Sequence, residues 1–398
     1  MVEKLAIDGG KKTRKNFLPY ASQWIDSSDI KAVTDALKAD WITQGPKISE
    51  FEKLISTYCR AKYGVAFSSG TAALHGAAYA AGISKGDEII TSPITFAADG
   101  NCAIYQGGFV KFADIKEDTG NIDPNKIQKQ ITKKTKAILP VDYAGQPCDI
   151  DEINKIAKKN KLLVIQDSCH ALGAEYKNKK VGSLADLNVL SFHPVKHITT
   201  GEGGMVLTNN EEFYEKLSMF RTHGITKDSK KLTKNQGAWY YEMQSLGYNY
   251  RITDFQCALG ISQFKKLEKF VELRRKIAEK YNKEFQGMDE IITPFEKSNV
   301  KSSFHLYMIQ LKLDKLKVDR KKIFDALRAE NIGVHVHYIP VHLQPYYQKN
   351  FGYKKGDFPI AEKYYNQALT LPIFPKMNNE DLNDVITAVK KVINYYSI

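Results

Sequence analysis

From Val65 to about Phe192 the chain alternates short apolar runs with stretches long enough for a helix, and this rhythm constrains the fold more than any other feature. The runs are Val65-Ala66-Phe67, Glu88 to Thr91, Phe109 to Ala113, Ala137 to Val141, Leu162 to Ile165 and Leu187 to Leu190. Between them lie Thr71 to Ala81, Ala97 to Tyr105, Pro124 to Ile131 and Ile150 to Asn160. Strands separated by helices of this length predict an α/β fold with a mainly parallel sheet covered on both faces. In such sheets ligands bind beyond the carboxyl ends of the strands. Three runs end in an acid there, at Asp114, Asp142 and Asp167, although most strand-end acids simply cap helices or close turns.

The flanks add a second unit. Ser27-Ser28-Asp29 reads as a helix start that carries Ile30, Val33 and Leu37 inward. Thr253 to about Phe285 reads as one or two long helices beginning at Asp254. Beyond about residue 290, a strand over His305 to Leu313, a helix over Asp319 to Glu330, a strand over Gly333 to Tyr338 and a closing helix from Asn379 are enough for a smaller α+β domain. The expected division is a large domain, 1–265, and a small carboxy-terminal domain, 266–398, bridged by a long helix.

Composition narrows the function classes. With 58 Lys+Arg against 45 Asp+Glu the net charge is +13, spread over surface stretches such as Lys133-Lys134 and Lys230-Lys231. There is no nucleic-acid motif and no single basic block, so the charge reads as a solvated surface that also favours anionic substrates. The uncharged stretch from Tyr63 to Ser84 could pass for a membrane span by length, but Ser68, Ser69, Gly70, Thr71 and His75 inside it fit a strand, a turn and a helix better. The amino terminus is charged and lacks the apolar stretch of a secretory signal. Five scattered cysteines with no CxxC pair point to a reducing, cytoplasmic setting, with neither disulfide framework nor zinc cluster.

Three segments carry chemistry. In Ser191-Phe192-His193-Pro194-Val195-Lys196, a lysine follows a strand end, and the turn-forming glycines Gly201, Gly203 and Gly204 come soon after. An amine buried near other cations loses basicity and suits Schiff-base chemistry with an aldehyde, although a lysine near glycines is most often a surface residue. Asp167 ends an apolar strand, where a carboxylate can keep a pyridine nitrogen protonated. Ser68-Ser69-Gly70-Thr71-Ala72-Ala73-Leu74 leads from strand to helix and would present N–H groups and a hydroxyl to a phosphate. His193 and His197 flank the lysine without a third ligand nearby, a poor metal pair.

In this order the segments resemble the DegT/StrS family of pyridoxal-phosphate sugar aminotransferases. The further motifs SPITFAA, VDYAGQP, DSCHALGA, RTHG, GYNYRITDFQCALG and VHYIPVHLQPYY extend the resemblance over nearly the whole chain. It implies fold type I, the aspartate aminotransferase-like class, with a seven-stranded type of sheet, and pyridoxal 5'-phosphate as cofactor. It also implies site roles. Lys196 is expected to be the Schiff-base and proton-shuttling residue, Asp167 the pyridine-nitrogen partner, and His170 a neighbour of the ring. Cys169 is expected beneath the ring and Phe96 stacked on its other face. Gly70, Thr71 and Ser191 are expected on the phosphate, with Asn249 reaching it from a partner subunit, so that a homodimer shares its sites. Tyr20, Trp41, Ile42, Thr43, His337 and Tyr338 occupy positions expected to contact the nucleotide-sugar.

The wording around Lys196, with ADWITQGPKISEFE, is most similar to the subgroup that serves pseudaminic acid synthesis. That similarity implies amino transfer from L-glutamate to C4 of a UDP-linked 4-keto-6-deoxy-N-acetyl sugar, while amination of C3, or of another nucleotide-linked keto-sugar, uses the same catalytic residues. Two residues depart from the family pattern: Cys169 stands where alanine or serine is usual, and Asp99 where threonine is. His223 and Arg251 match family motifs without an assignable role. Relatives that remove a sugar hydroxyl replace the lysine by histidine, and Lys196 disfavours that. A non-catalytic regulator on the same fold would have no need of Lys196 and Asp167. A nicotinamide oxidoreductase would need GxGxxG where Ser68-Ser69-Gly70-Thr71 stands.

Overall fold

Seven strands form the central sheet of the computed structural model, which describes residues 4–398. The first three residues of the charged amino-terminal stretch lie outside it. The strands are β1 (Tyr63–Phe67), β2 (Glu88–Thr91), β3 (Phe109–Phe112), β4 (Thr135–Leu139), β5 (Leu163–Asp167), β6 (Leu187–Ser191) and β7 (Gly204–Thr208). Their spatial order is β1-β7-β6-β5-β4-β2-β3. All neighbours run parallel except β7, which pairs antiparallel with both β1 and β6. The mainly parallel seven-stranded sheet is therefore present. Six of its strands coincide with the apolar runs of the sequence; β7 is hidden directly behind the glycines that read as turns.

Alternation along each strand sorts side chains to two covered faces. Ile89, Ala137, Leu139 and Ile165 pack beneath helices α3 (Gly70–Ala80) and α4 (Ala97–Tyr105). Ile90, Ile138 and Val164 pack against Ile127, Ile150 and Ile153 on the opposite face. Each such aliphatic side chain contributes about 1.5–3 kcal/mol through burial. The helix nearest the site, α3, begins where Ser69 caps it, its hydroxyl accepting the Ala72 N–H at 3.1 Å. It lies against the sheet through small residues, and a Cβ on Gly76 would come within 2.7 Å of the Phe67 ring. The uncharged stretch from Tyr63 is thus a strand followed by a helix. No helix among the described residues is long and apolar enough to cross a membrane.

A helix over Ser27–Lys38 (here αN) precedes the sheet, but the structure corrects the face it buries. Asp29 and Ala36 point inward, whereas Ile30 is 61% and Leu37 55% exposed. The buried Asp29 carboxylate accepts from Gln263 Nε2 and Lys266 Nζ, so an ion pair fixes the helix in place of the expected apolar contacts. Two further helices, Asp254–Phe264 and Leu267–Phe285, run consecutively into the carboxy-terminal part. There a three-stranded sheet of Ile291–Ile292, Tyr307–Leu311 and Ala368–Leu371 is covered by helices Arg320–Ala329 and Asn379–Tyr396. Leu5 and Leu18 pack into this same core. The strand expected over Gly333–Tyr338 does not form; only His335 bridges Thr370. The reason lies in the next two side chains, since His337 Nδ1 meets Thr370 Oγ1 at 2.8 Å and the Tyr338 hydroxyl meets His170 Nε2 at 3.2 Å.

Candidate active site

The carboxyl ends of β5 and β6, the β1–α3 turn and the carboxy-terminal part enclose a cavity of about 490 Å³. Its lining brings together Lys196, Asp167, His170, Cys169, Gly70, Thr71, Ser191, Phe96, Tyr20, His337 and Tyr338. Trp41, Ile42, Thr43 and Asn249 do not line it. Trp41 instead borders a separate depression of about 530 Å³ between αN and the helix over Asp254–Phe264. Trp41 is 60% and Ile42 50% exposed, and Thr43 bridges Thr253. Asn249 bridges Thr222, the residue after Arg221, whose guanidinium binds Glu52. Arg251 lines a small depression with Gln44 and Arg221.

At one end of the cavity, the β1–α3 turn abuts the end of β6. A Cβ on Gly70 would lie 3.1 Å from Ser191 Cβ, and one on Gly204 would lie 2.7 Å from the Ser69 carbonyl carbon. Glycine at both positions leaves a cradle bounded by the α3 N-terminus, the Thr71 hydroxyl and Ser191 Oγ, a donor set suited to a phosphate. At the other end Asp167 is held by its backbone, its N–H donating to Pro140 O and its O accepting from Asp142 N, both at 2.9 Å. Its Oδ1 accepts the Cys169 N–H at 2.9 Å, and among the described residues no backbone N–H reaches its Oδ2. One carboxylate oxygen is therefore available to a ring N–H.

Lys196 lies between these ends. Withdrawal from water pushes its amine below the usual range, opposed by Asp167 and Asp99 and assisted by the Arg274 guanidinium. A less basic amine is more often neutral, and the neutral form is the nucleophile. His305 approaches Lys196 Nζ through Nε2 at 3.5 Å and packs on His170 with 4.3 Å between ring centroids. Burial, with the lysine beside them, pushes both imidazoles well below their ordinary value, so both are neutral. Burial likewise raises the Cys169 thiol, which stays protonated. Phe96 is 60% exposed at the mouth with its ring 6.1 Å from Tyr338, which rules out a core role.

Sequence reasoning missed His305, which also lines the cavity, and noted Ser69, Thr95 and Asp99 without assigning their side chains a role there. His305 carried no signal: it reads as the start of a strand that in fact begins at Tyr307, and only the docking of the carboxy-terminal part brings it to the lysine. His193 and His197 separate: His193 is exposed beside Glu202, and His197 is buried with Nε2 on Ser303 O at 3.2 Å.

This cavity on this fold defines a fold type I enzyme that uses pyridoxal 5'-phosphate, and the cradle, the lysine and the free carboxylate oxygen fit that cofactor from end to end. The chain belongs to the DegT/DnrJ/EryC1/StrS aminotransferase family, whose model matches residues 23–390. It is 43% identical over 381 residues to the spore coat polysaccharide biosynthesis protein SpsC of Bacillus subtilis, covering 96% of this chain and 98% of that protein. It is also 43% identical over 367 residues to the UDP-4-amino-4,6-dideoxy-N-acetyl-β-L-altrosamine transaminase of Campylobacter jejuni, covering 92% and 94% of the two chains. Among solved structures, the PLP form of the sugar aminotransferase Spr1654 from Streptococcus pneumoniae superposes with a TM-score of 0.89 at 30% identity, covering 95% and 99%. The protein is an enzyme, a sugar aminotransferase of this family.

Proposed function

We propose that the enzyme transfers an amino group from L-glutamate to C4 of a UDP-linked 4-keto-6-deoxy-N-acetyl sugar, in the cytoplasm and as a homodimer with shared sites. The observation that carries this reading is the convergence of Lys196, Asp167 and the Gly70–Ser191 cradle in one cavity. The similarity to the Campylobacter transaminase supports the sugar. The equal identity to SpsC supports a second reading, another nucleotide-linked keto-sugar, on the same residues.

Pyridoxal phosphate, when bound, supplies an aldehyde and an electron-withdrawing ring able to carry an amino group from donor to acceptor. Gly70 and Thr71 bind its phosphate with Ser191. Lys196 Nζ would hold the aldehyde carbon and, when free of it, would move a proton to or from the Cα of glutamate and C4 of the sugar. Asp167 Oδ2 holds a proton at the pyridine nitrogen. Phe96 and Cys169, both in the cavity wall, would help hold the ring and exclude water. His170, neutral and turned by Tyr338, orients the ring. Tyr20, His337 and Tyr338 border the sugar. Trp41, Ile42, Thr43 and Asn249 act on the other subunit's site, a role supported by the exposed apolar side chains of Ile30, Leu37, Trp41 and Ile42.

Absorbance spectra before and after L-glutamate, for wild type and Lys196→Ala, test the chemistry. We expect a visible band in the wild type that glutamate shifts to the pyridoxamine form, and no normal band in the variant. Adding candidate keto-sugars to the aminated enzyme then tests the substrate. Restoration of the band by a UDP-4-keto-6-deoxy-N-acetyl sugar supports the first reading; restoration only by another keto-sugar selects the second. A wild type that takes up no pyridoxal phosphate refutes both.

A further inference from the structure

A second carboxyl group stands beside Asp167 in the cavity. Asp99, in the first turn of α4, is 1% exposed and lines the same pocket. Its Oδ2 accepts a hydrogen bond from the Thr95 hydroxyl. Its Oδ1 is buried without a hydrogen-bond partner among the described residues. Nothing in the reaction sketched above uses it. A buried carboxylate oxygen lacking any donor is costly, and more so if charged, so its presence in the wall of an active site calls for a chemical reason.

The groups facing Asp99 supply one. Asp167 and Cys169 face it from the end of β5, Lys196 from the loop after β6, and Cys102 from the next turn of its own helix. Tyr338 and Tyr347 face it from the carboxy-terminal part. Lys196 is the one cation in this set, and Asp167 already lies beside it. Two carboxylates in one water-poor pocket cannot both ionise cheaply. Burial first, and the neighbouring Asp167 second, push Asp99 well above the ordinary carboxylate range. A protonated Oδ1 is a donor, it has no other partner among the described residues, and the Asp167 carboxylate lies within side-chain hydrogen-bonding reach of Asp99 as the acceptor. Thr95, donating to the other oxygen of Asp99, leaves Oδ1 as the atom that carries the proton.

We propose that Asp99 is a positioning residue for Asp167, a carboxylic acid that shares its proton with the Asp167 carboxylate and so tempers how strongly Asp167 holds the pyridine nitrogen. The proposal rests on the reading of the cavity as a pyridoxal-phosphate site. Its consequence is a chain-specific adjustment of the cofactor's electronic demand, exerted by a residue that touches neither substrate nor the reacting carbon.

The test titrates the visible band of the purified, cofactor-loaded enzyme with pH, without substrate, in wild type, Asp99→Asn and Asp99→Ala. Asparagine still donates to Asp167, so its midpoint is expected to stay near wild type. Alanine leaves Asp167 untempered, and its midpoint is expected to move up by about one unit. Equal midpoints in all three forms overturn the proposal. A downward move in both variants also overturns it, because that is the signature of a second full charge being removed.

The cofactor-free protein gives an independent readout. A carboxyl raised in the folded state contributes full stability below its unfolded value of about 3.9 and loses it as pH rises toward the folded value. Asparagine does not titrate, so the Tm of Asp99→Asn is expected to gain on wild type by about 1–3 °C between pH 4 and pH 7. A difference that does not change with pH overturns the shared proton even where alanine prevents folding. If no form develops a band, the cofactor reading falls and with it any role at the pyridine nitrogen; the Tm series then judges the carboxyl pair alone.

Discussion

Single residues show how this site is held from beneath. Arg274 is almost wholly buried, yet among the described residues no carboxylate pairs with it. Its guanidinium donates to the carbonyls of Ile373 at 2.9 Å, His305 at 3.2 Å, Phe304 at 3.3 Å and Val195 at 3.4 Å. Val195 precedes the lysine and His305 touches it, so one planar fork ties the lysine loop to the carboxy-terminal segment. Arg274→Met removes all four hydrogen bonds to these carbonyls. We expect it to lower stability by about 3 kcal/mol or more in urea unfolding, with Arg274→Lys recovering part of the loss because its ammonium keeps some of the bonds. Equal stability of wild type and the methionine variant would falsify this account. None of it was legible in the sequence, where Arg274 is one of many charges on a long amphipathic helix. Lys196 and Asp167 were legible, because each sits at a fixed offset from an apolar strand whose end defines the cleft.

Elements were legible where local pattern and tertiary demand agree. The parallel strands are buried on both faces and read as continuous apolar runs. Strand β7 escaped because its first residue, Gly204, also completes a glycine cluster, and the turn signal masked the Met-Val-Leu run behind it. Structure gives that glycine a double duty, opening β7 and giving way to the Ser69–Gly70 backbone. Gly204→Ala would set a Cβ 2.8 Å from Gly70 Cα and push the phosphate turn outward. We expect the variant to lose pyridoxal phosphate readily on dialysis and to melt lower than wild type, whereas Gly201→Ala, whose Cβ meets nothing within 4 Å but whose φ is +83°, should cost stability by backbone strain and keep its cofactor. Cofactor lost equally from both variants would place the defect outside the turn. The misread face of the helix over Ser27–Lys38 has the opposite origin: its apolar spacing is real, but an ion pair at Asp29 claims the inward side and leaves Ile30 and Leu37 outside.

At the scale of the whole molecule, one chain supplies an incomplete set of the residues that the sequence assigns to the site. We propose a domain division at 265/266, between the consecutive helices ending at Phe264 and starting at Leu267; the packing of Leu5 and Leu18 in the carboxy-terminal core ties the amino-terminal segment across it. Neither side of that division brings Asn249 or Trp41 to Lys196 within a chain. Ile30, Leu37, Trp41 and Ile42 are each exposed apolar side chains of the kind a partner covers. In a two-fold dimer with shared sites, Lys196→Ala and Asn249→Ala damage opposite halves of each site. Each variant alone is expected to lose most activity. Unfolding and refolding an equal mixture makes half the dimers mixed, and each mixed dimer holds one site with both residues intact, so about one quarter of wild-type activity should return. If Asn249 serves its own chain's cavity, no mixed dimer contains an intact site and nothing returns. The recovered fraction, read against a refolded wild-type control, therefore decides whether the site is built by one chain or two.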